Sequence, residues 1–205
     1  YHADVPPGNV PLAAVEELAR HPLVEQVIPL ALGDSFRGFR IVGTEPTFVA
    51  HYGASLAQGS GWSAPMEAVL GSDVARATGL AVGATLSGAH GLAEGGGDHG
   101  EAPYRVVGVL APTGRVIDRL VLTAVDSVWQ VHAHGADDAD HDRSARSDSA
   151  PPPAALATEP AAGREITLAL VKYRSPLAAA GLPRMITAEP ALQAASPPYE
   201  SARRF

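Results

Sequence analysis

Residues 135–164 constrain the fold of this chain more than any other feature. Gly135 to Arg164 contain five Asp and four Pro, and their single large aliphatic residue is Leu156. Such a stretch cannot bury enough apolar surface to offset the conformational entropy lost on ordering, about 1–2 kcal/mol per residue for the backbone alone. A mobile insertion is expected there. Order is expected to return at Ile166–Tyr173, a run of strongly β-forming residues. The folded body must then be assembled from two sequence stretches, one on each side of the insertion.

Composition narrows what those stretches can do. Hydrophobic residues make up 46% of the 205, too many for a disordered chain, and 21 Gly with 18 Pro imply short elements and many turns. The charge is −7. Phosphate backbones need clustered cations, so no nucleic-acid partner is expected, nor a basic helix lying on a membrane. Without cysteine there is no disulfide, thiolate metal site or cysteine nucleophile. No apolar run approaches the roughly 18 residues that span a bilayer. The chain opens at Tyr1 with no signal-peptide pattern, and it reads as a piece of a longer polypeptide.

Periodicity supplies the elements. Pro11–Arg20 reads as a helix with Pro11 in its first position, Leu12, Val15, Leu18 and Ala19 on one face, and a Glu16–Arg20 pair on the other. Val24–Leu32 and Phe36–Thr44 read as a hairpin turning at Gly33-Asp34-Ser35. A short helix is expected near Thr47–Tyr52, a loop with partly buried residues such as Trp62 over Ala54–Pro65, and a strand at Glu67–Leu70. Ser72 is expected to cap a helix over Asp73–Thr78, ended by a left-handed Gly79 with Leu80 packing back. Ala84–His90, Tyr104–Leu110 and Leu120–Leu122 read as strands, with a turn at Pro112-Thr113-Gly114. Thr123 and Asp126 suggest a capping box, followed by a helix with Val125, Val128, Trp129 and His132 on one side. Ser175-Pro176 opens a last full helix, kinked at Pro183, and Ser196-Pro197 opens another. The order of elements implies an α+β fold.

The strings Phe39–Trp62, Glu67–Leu86, Tyr104–Gly114, Asp118–Trp129 and Leu170–Ile186 stand in the order seen in the periplasmic core domains of MacB/FtsX-type ABC transporter permeases, which the chain resembles over about Leu12–Ile186. The motifs are glycine turns and strand patterns, with no catalytic signature. The resemblance implies a porter-like α/β layer interrupted by a small β-rich (Sabre-like) module. Residues 1–66 would form the first half of the porter-like part and 67–118 the β-rich module. Residues 119–134 and 165–195 would form the second half around the 135–164 insertion, and 196–205 would begin a membrane-proximal stalk. It also implies a periplasmic domain of an inner-membrane protein that relays ATP-driven motion. The implied partners are a cytoplasmic ABC ATPase subunit that binds the ATP, a second permease copy, and a periplasmic partner or substrate. No cofactor is implied for the domain itself, which is expected to be monomeric or weakly dimeric alone.

Candidate sites are few. Gly95, Gly97 and Gly100 fit a phosphate-cradle pattern, but a β run follows and Glu94, Asp98 and Glu101 would repel phosphate, so a hairpin tip is the better reading. His132, His134, Asp138 and His141 could supply imidazole and carboxylate ligands to Zn²⁺. Against this, a helix through Trp129–His134 would separate His132 from His134, and a solvated acidic stretch explains the same composition. No nucleophile elbow or zinc-protease motif is present, and no catalytic residue is assigned. Phe48, Tyr52, Trp62 and Trp129 suit a core, or else the wall of a groove.

Overall fold

The computed structural model describes residues 9–88, 103–138, 164–189 and 192–195, with the backbone alone for 132–138. It opens with β1 (Val10–Pro11) and α1 (Leu12–Ala19). Pro11 is not the first helical residue. Its ψ of 129° is extended, and it closes a ladder in which Val10 and Pro11 face Ile166 and Glu165. Val15 of α1 is buried, with Leu12 and Leu18 half-buried beside it, while Glu16 and Glu17 face solvent.

The hairpin of β2 (Val24–Phe36) and β3 (Phe39–Thr44) turns later than its sequence suggests. Arg37 (φ 47°) and Gly38 (φ 80°) make the two-residue turn. Gly33-Asp34-Ser35 stays within β2 as a bulge, where pairing jumps from Leu32↔Val42 to Ser35↔Arg40 and the Arg40 guanidinium donates to Gly33 O at 2.9 Å. The later turn sets Phe36 opposite Phe39 and buries Asp34 and Ser35, which a loop would have exposed.

Next come α2 (Pro46–His51), β4 (Leu56–Gly59) inside the expected loop, and β5 (Glu67–Leu70). In α3 (Ser72–Thr78) the extended Gly71, not Ser72, holds the cap position, and Gly79 ends the helix at φ 71° with Leu80 packed against the core. β6 (Thr85–Leu86) is shorter than the strand expected over Ala84–His90: Ala84, Ser87 and Gly88 lie outside it, and residues 89 and 90 lie outside the described residues. β7 (Tyr104–Leu110) leads through a 3-10 turn (Val116–Arg119) to β8 (Leu120–Ala124) and α4 (Val125–Asp138). The β run near the end is split at Thr167 into β9 (Glu165–Ile166) and β10 (Leu168–Tyr173), and α5 (Ala178–Ala188) keeps Pro183 inside it. Of the expected insertion, residues 135–138 complete α4, while 139–163 lie outside the described residues. So do Gly95, Gly97, Gly100, His141 and the expected stalk at 196–205.

The chain divides into two compact units, Tyr1–Leu30 with Glu159–Phe205, and Ala31–Thr158. In the larger, the strand order is β2-β3-β8-β5-β7-β4, with β6 also on β7. β3 and β8 are parallel, as are β5 and β7, while β5 and β8 are antiparallel. Ile41, Leu70, Val74, Tyr104, Val106 and Val121 are central to its core. α4 lies close on β3 because Gly43 has no side chain: a Cβ there would come 2.7 Å from Val128 Cγ2. In the smaller unit, β10 pairs antiparallel with β2. Val24, Leu182 and Ile186 form its core with Leu18, Val27 and Val171. The Arg174 guanidinium ties the chain entering β2 by donating to Pro22 O and Val24 O, each at 3.0 Å.

Helices and strands are mixed in one α and β architecture, as the element order implied. The contacts divide the chain at Leu30/Ala31 and Thr158/Glu159. The β5–β8 ladder joins residues 68–70 of the expected β-rich module to 121–123 of the expected porter-like part. No described helix is long and apolar enough to cross a membrane.

Candidate functional site

Within the larger unit, buried polar groups lock the ends of the strands. The most closed group sits where β5 begins. Met66, a non-glycine residue at φ 61°, donates its backbone N–H to Ser127 Oγ at 2.9 Å and accepts from Arg105 N at 2.8 Å. Ser127 Oγ lies 2.8 Å from Thr123 Oγ1, which donates to Glu67 O at 2.7 Å. Thr123 has one proton and gives it to the carbonyl, so Ser127 is the donor between the two hydroxyls. The result is a one-way relay, Met66 N–H to Ser127 to Thr123 to Glu67 O, that fastens the first turn of α4 to the root of β5. Both hydroxyl residues are fully buried. The expected capping box is therefore absent: Thr123 stays in β8 and turns its hydroxyl across to β5.

The side chain of Glu67 makes a second lock. It accepts from Ser63 N at 2.8 Å, Ser63 Oγ at 3.1 Å and Ala64 N at 3.2 Å, and pairs with Arg105 on β7. The Ser63 backbone bond leads the effects that hold this carboxyl below the ordinary value, against the desolvation that raises it.

The third lock closes the link from β7 to β8. Asp118, 4% exposed, accepts from Thr113 N at 2.9 Å, Thr113 Oγ1 at 2.8 Å and Gly114 N at 2.7 Å. Burial alone would raise its pKa, but the bonds from the Thr113–Arg115 turn outweigh it and the pKa is lowered. The expected turn at Pro112-Thr113-Gly114 thus exists because an aspartate downstream gathers its N–H groups. Beside it is a depression of about 180 Å³, lined by Tyr52, Gly53 and Ser55 on one side and Ala111–Thr113 and Arg115 on the other. Arg115 Nη1 donates to Tyr52 O at 2.9 Å. Tyr52 packs edge-on to Phe48, with ring centres 5.0 Å apart.

Near the bulge in β2, Tyr104 is buried beside Asp34, and its phenol is raised above the ordinary value by burial first and by the Asp34 charge second. Gly88 sits against Asp34, where a Cβ would come 2.9 Å from the carboxylate.

The expected metal ligands fall along α4 and beyond it. His132, His134 and Asp138 occupy its last two turns, and His141 lies outside the described residues. Positions 132 and 134 are about 200° apart around a continuous helix, while 134 and 138 are one turn apart. Among the described residues, no three His, Asp or Glu side chains are gathered to hold a metal ion. Of the expected aromatics, Phe48 is core, Tyr52 lines the depression, and Trp62 and Trp129 are half-buried.

Sequence reading did not find Glu67, Asp118 or Ser127. An Asp four residues after Thr113-Gly114 was an available signal for the turn lock. The Met66–Ser127 bond spans 61 residues and left no local signal.

A family model described as the MacB-like periplasmic core domain matches residues 3–176. The fold is similar to the periplasmic region of MacB from Actinobacillus actinomycetemcomitans, at TM-score 0.56 and 15% identity, covering 88% of this chain and 74% of that one. It is also similar to the extracellular domain of the noncanonic ABC-type transporter YknZ from Gram-positive bacteria, at TM-score 0.56 and 9% identity, covering 91% and 87%. No curated protein matches the chain.

Proposed function

The chain belongs to the MacB-like periplasmic core domain family, and we propose that it relays ATP-driven motion as the outer domain of an ABC transporter permease, without chemistry of its own. Its place is the outer side of the membrane, as part of a MacB-like permease. On this reading a cytoplasmic ATPase subunit binds the ATP, a second permease copy completes the transporter, and the domain meets a substrate or periplasmic partner.

The match over residues 3–176 carries the reading. The locks support it, because a part that transmits displacement has to resist shear. Hydrophobic contacts are non-directional and can slide, whereas hydrogen bonds weaken steeply when misaligned. Around Met66, Glu67 and Asp118 the polar groups are spent on joining strands to turns and to α4.

The test is an uncoupling experiment in the parent permease, expected to carry four membrane helices with this segment between the first two. Ser127→Ala with Thr123→Val is expected to lower transport while ATP hydrolysis in the cytoplasm continues. Equal loss of both activities, or a parent gene without those helices, would refute the relay.

A further inference from the structure

We infer that α5 carries the face by which the domain meets a second copy of itself. This rests on the reading above, that two copies of the parent permease stand together. α5 buries Ala178, Leu182 and Ile186 but leaves Leu177 83% and Met185 52% exposed. Leu177 has helical dihedrals, φ −66° and ψ −34°, so Leu177, Gly181 and Met185 share one stripe at i, i+4 and i+8. A Cβ on Gly181 would meet nothing within 4 Å. The stripe is therefore two apolar knobs with a bare gap midway between them.

That pattern complements itself. Two copies set antiparallel about a two-fold axis through Gly181 bring each Leu177 against the Met185 of the other. The glycines let the backbones approach at the axis.

Size decides between a second copy and a diffusing partner. The eleven residues of α5 span about 16 Å and offer a face on the order of 200 Å². Stable complexes bury about 800 Å² per partner. A freely diffusing protein would gain little hold here. A copy tethered in the same membrane is presented at an effective concentration in the millimolar range, where a weak contact forms.

The chain has no cysteine, so single substitutions report contacts cleanly. Under mild oxidation of the parent permease in membranes, Gly181→Cys is expected to cross-link at least about tenfold more than a control at the exposed Arg76 on α3. Mixed Leu177→Cys and Met185→Cys parents should link to each other in preference to themselves. Adding Leu177→Glu and Met185→Glu should abolish the Gly181→Cys link. In the free 205-residue chain, the link should need near-millimolar protein. Equal linking of the Arg76 control, or self-linking of Leu177→Cys above the mixed product, overturns the face. So does a Glu pair that lowers flotation with phosphatidylglycerol vesicles but spares the link, which would make the face lipid-facing. A parent that migrates as a dimer without the link overturns the face alone, and a monomeric parent overturns the functional reading with it.

Discussion

Ser127→Ala tests the relay at its centre. The change removes the acceptor for Met66 N–H and the donor to Thr123 in a site with no access to water. A buried donor left without an acceptor costs about 1–3 kcal/mol. The backbone at Met66 cannot easily turn away, because its carbonyl is held by Arg105 N and its φ of 61° is fixed by the strand start on one side and the Ser63–Ala64 turn on the other. A loss near 2 kcal/mol should lower the melting temperature of a chain this size by about 4–8 °C. Thr123→Val keeps the shape and deletes the bond to Glu67 O, for about 1 kcal/mol. Because the two hydroxyls act in series, the double variant should lose less than the sum, by about 1 kcal/mol. Urea titration of the four proteins measures this cycle. Additive losses would show that the hydroxyls do not form a relay, and single losses within about 0.3 kcal/mol would show that water or a shifted backbone replaces it.

Both lock carboxylates have lowered pKa values, so their stabilisation is present above the ordinary values of 3.8 for Asp118 and 4.5 for Glu67 and is lost as pH falls through the lower folded values. Asp118→Asn and Glu67→Gln should each flatten the acid limb of a stability-against-pH profile, and an unchanged limb would refute the assignment. Gly71→Ala should lower the soluble folded yield sharply, since its Cβ would lie 2.3 Å from Asp118 O and 2.5 Å from Ile117 O; a melting temperature within about 2 °C of the parent, the low end of the shift expected for 1 kcal/mol, would show that this turn yields. Arg174→Ala and Arg174→Lys should both loosen the entry to β2, read as faster amide exchange at Val24–Leu30, because lysine does not present a planar fork to two carbonyls; full protection in either variant would contradict that.

Much of the fold was legible because local chemistry decided it. The αL glycine at 79, the proline start of α2 and the apolar runs of β5, β7 and β8 act over a few residues, and each lies within a residue or two of its expected place. The misreadings came where distant partners outweighed local preference. Gly33-Asp34-Ser35 has the composition of a turn, but the Phe36–Phe39 pair and burial of Asp34 keep it in β2. Thr123 with Asp126 matches a cap, but Glu67 O, 56 residues away, takes the hydroxyl. Leu56–Gly59 fell within the expected loop with partly buried residues, yet all four are exposed, and pairing with Gly108–Leu110 makes them a strand. The locks were illegible for the same reason. Their residues are common ones at unremarkable spacings, and they acquire roles only when β8 is laid beside β5.

The same geometry indicates why these positions are polar at all. Valine at 123 and alanine at 127 would be similar in size to the native side chains, but they leave Met66 N–H without its acceptor and Glu67 O without its donor, so the change costs about 2 kcal/mol. What an apolar pair cannot supply is direction. With the relay in place, a displacement of about 1 Å along one of its 2.7–2.9 Å bonds takes that bond beyond hydrogen-bonding range, which couples the helix to the strand. A packed methyl pair loses little over the same displacement. The Ser127 and Thr123 hydroxyls therefore contribute directional coupling between α4 and β5 as well as stability. On the proposed reading, a double variant stabilised elsewhere to the parental melting temperature should still transport poorly.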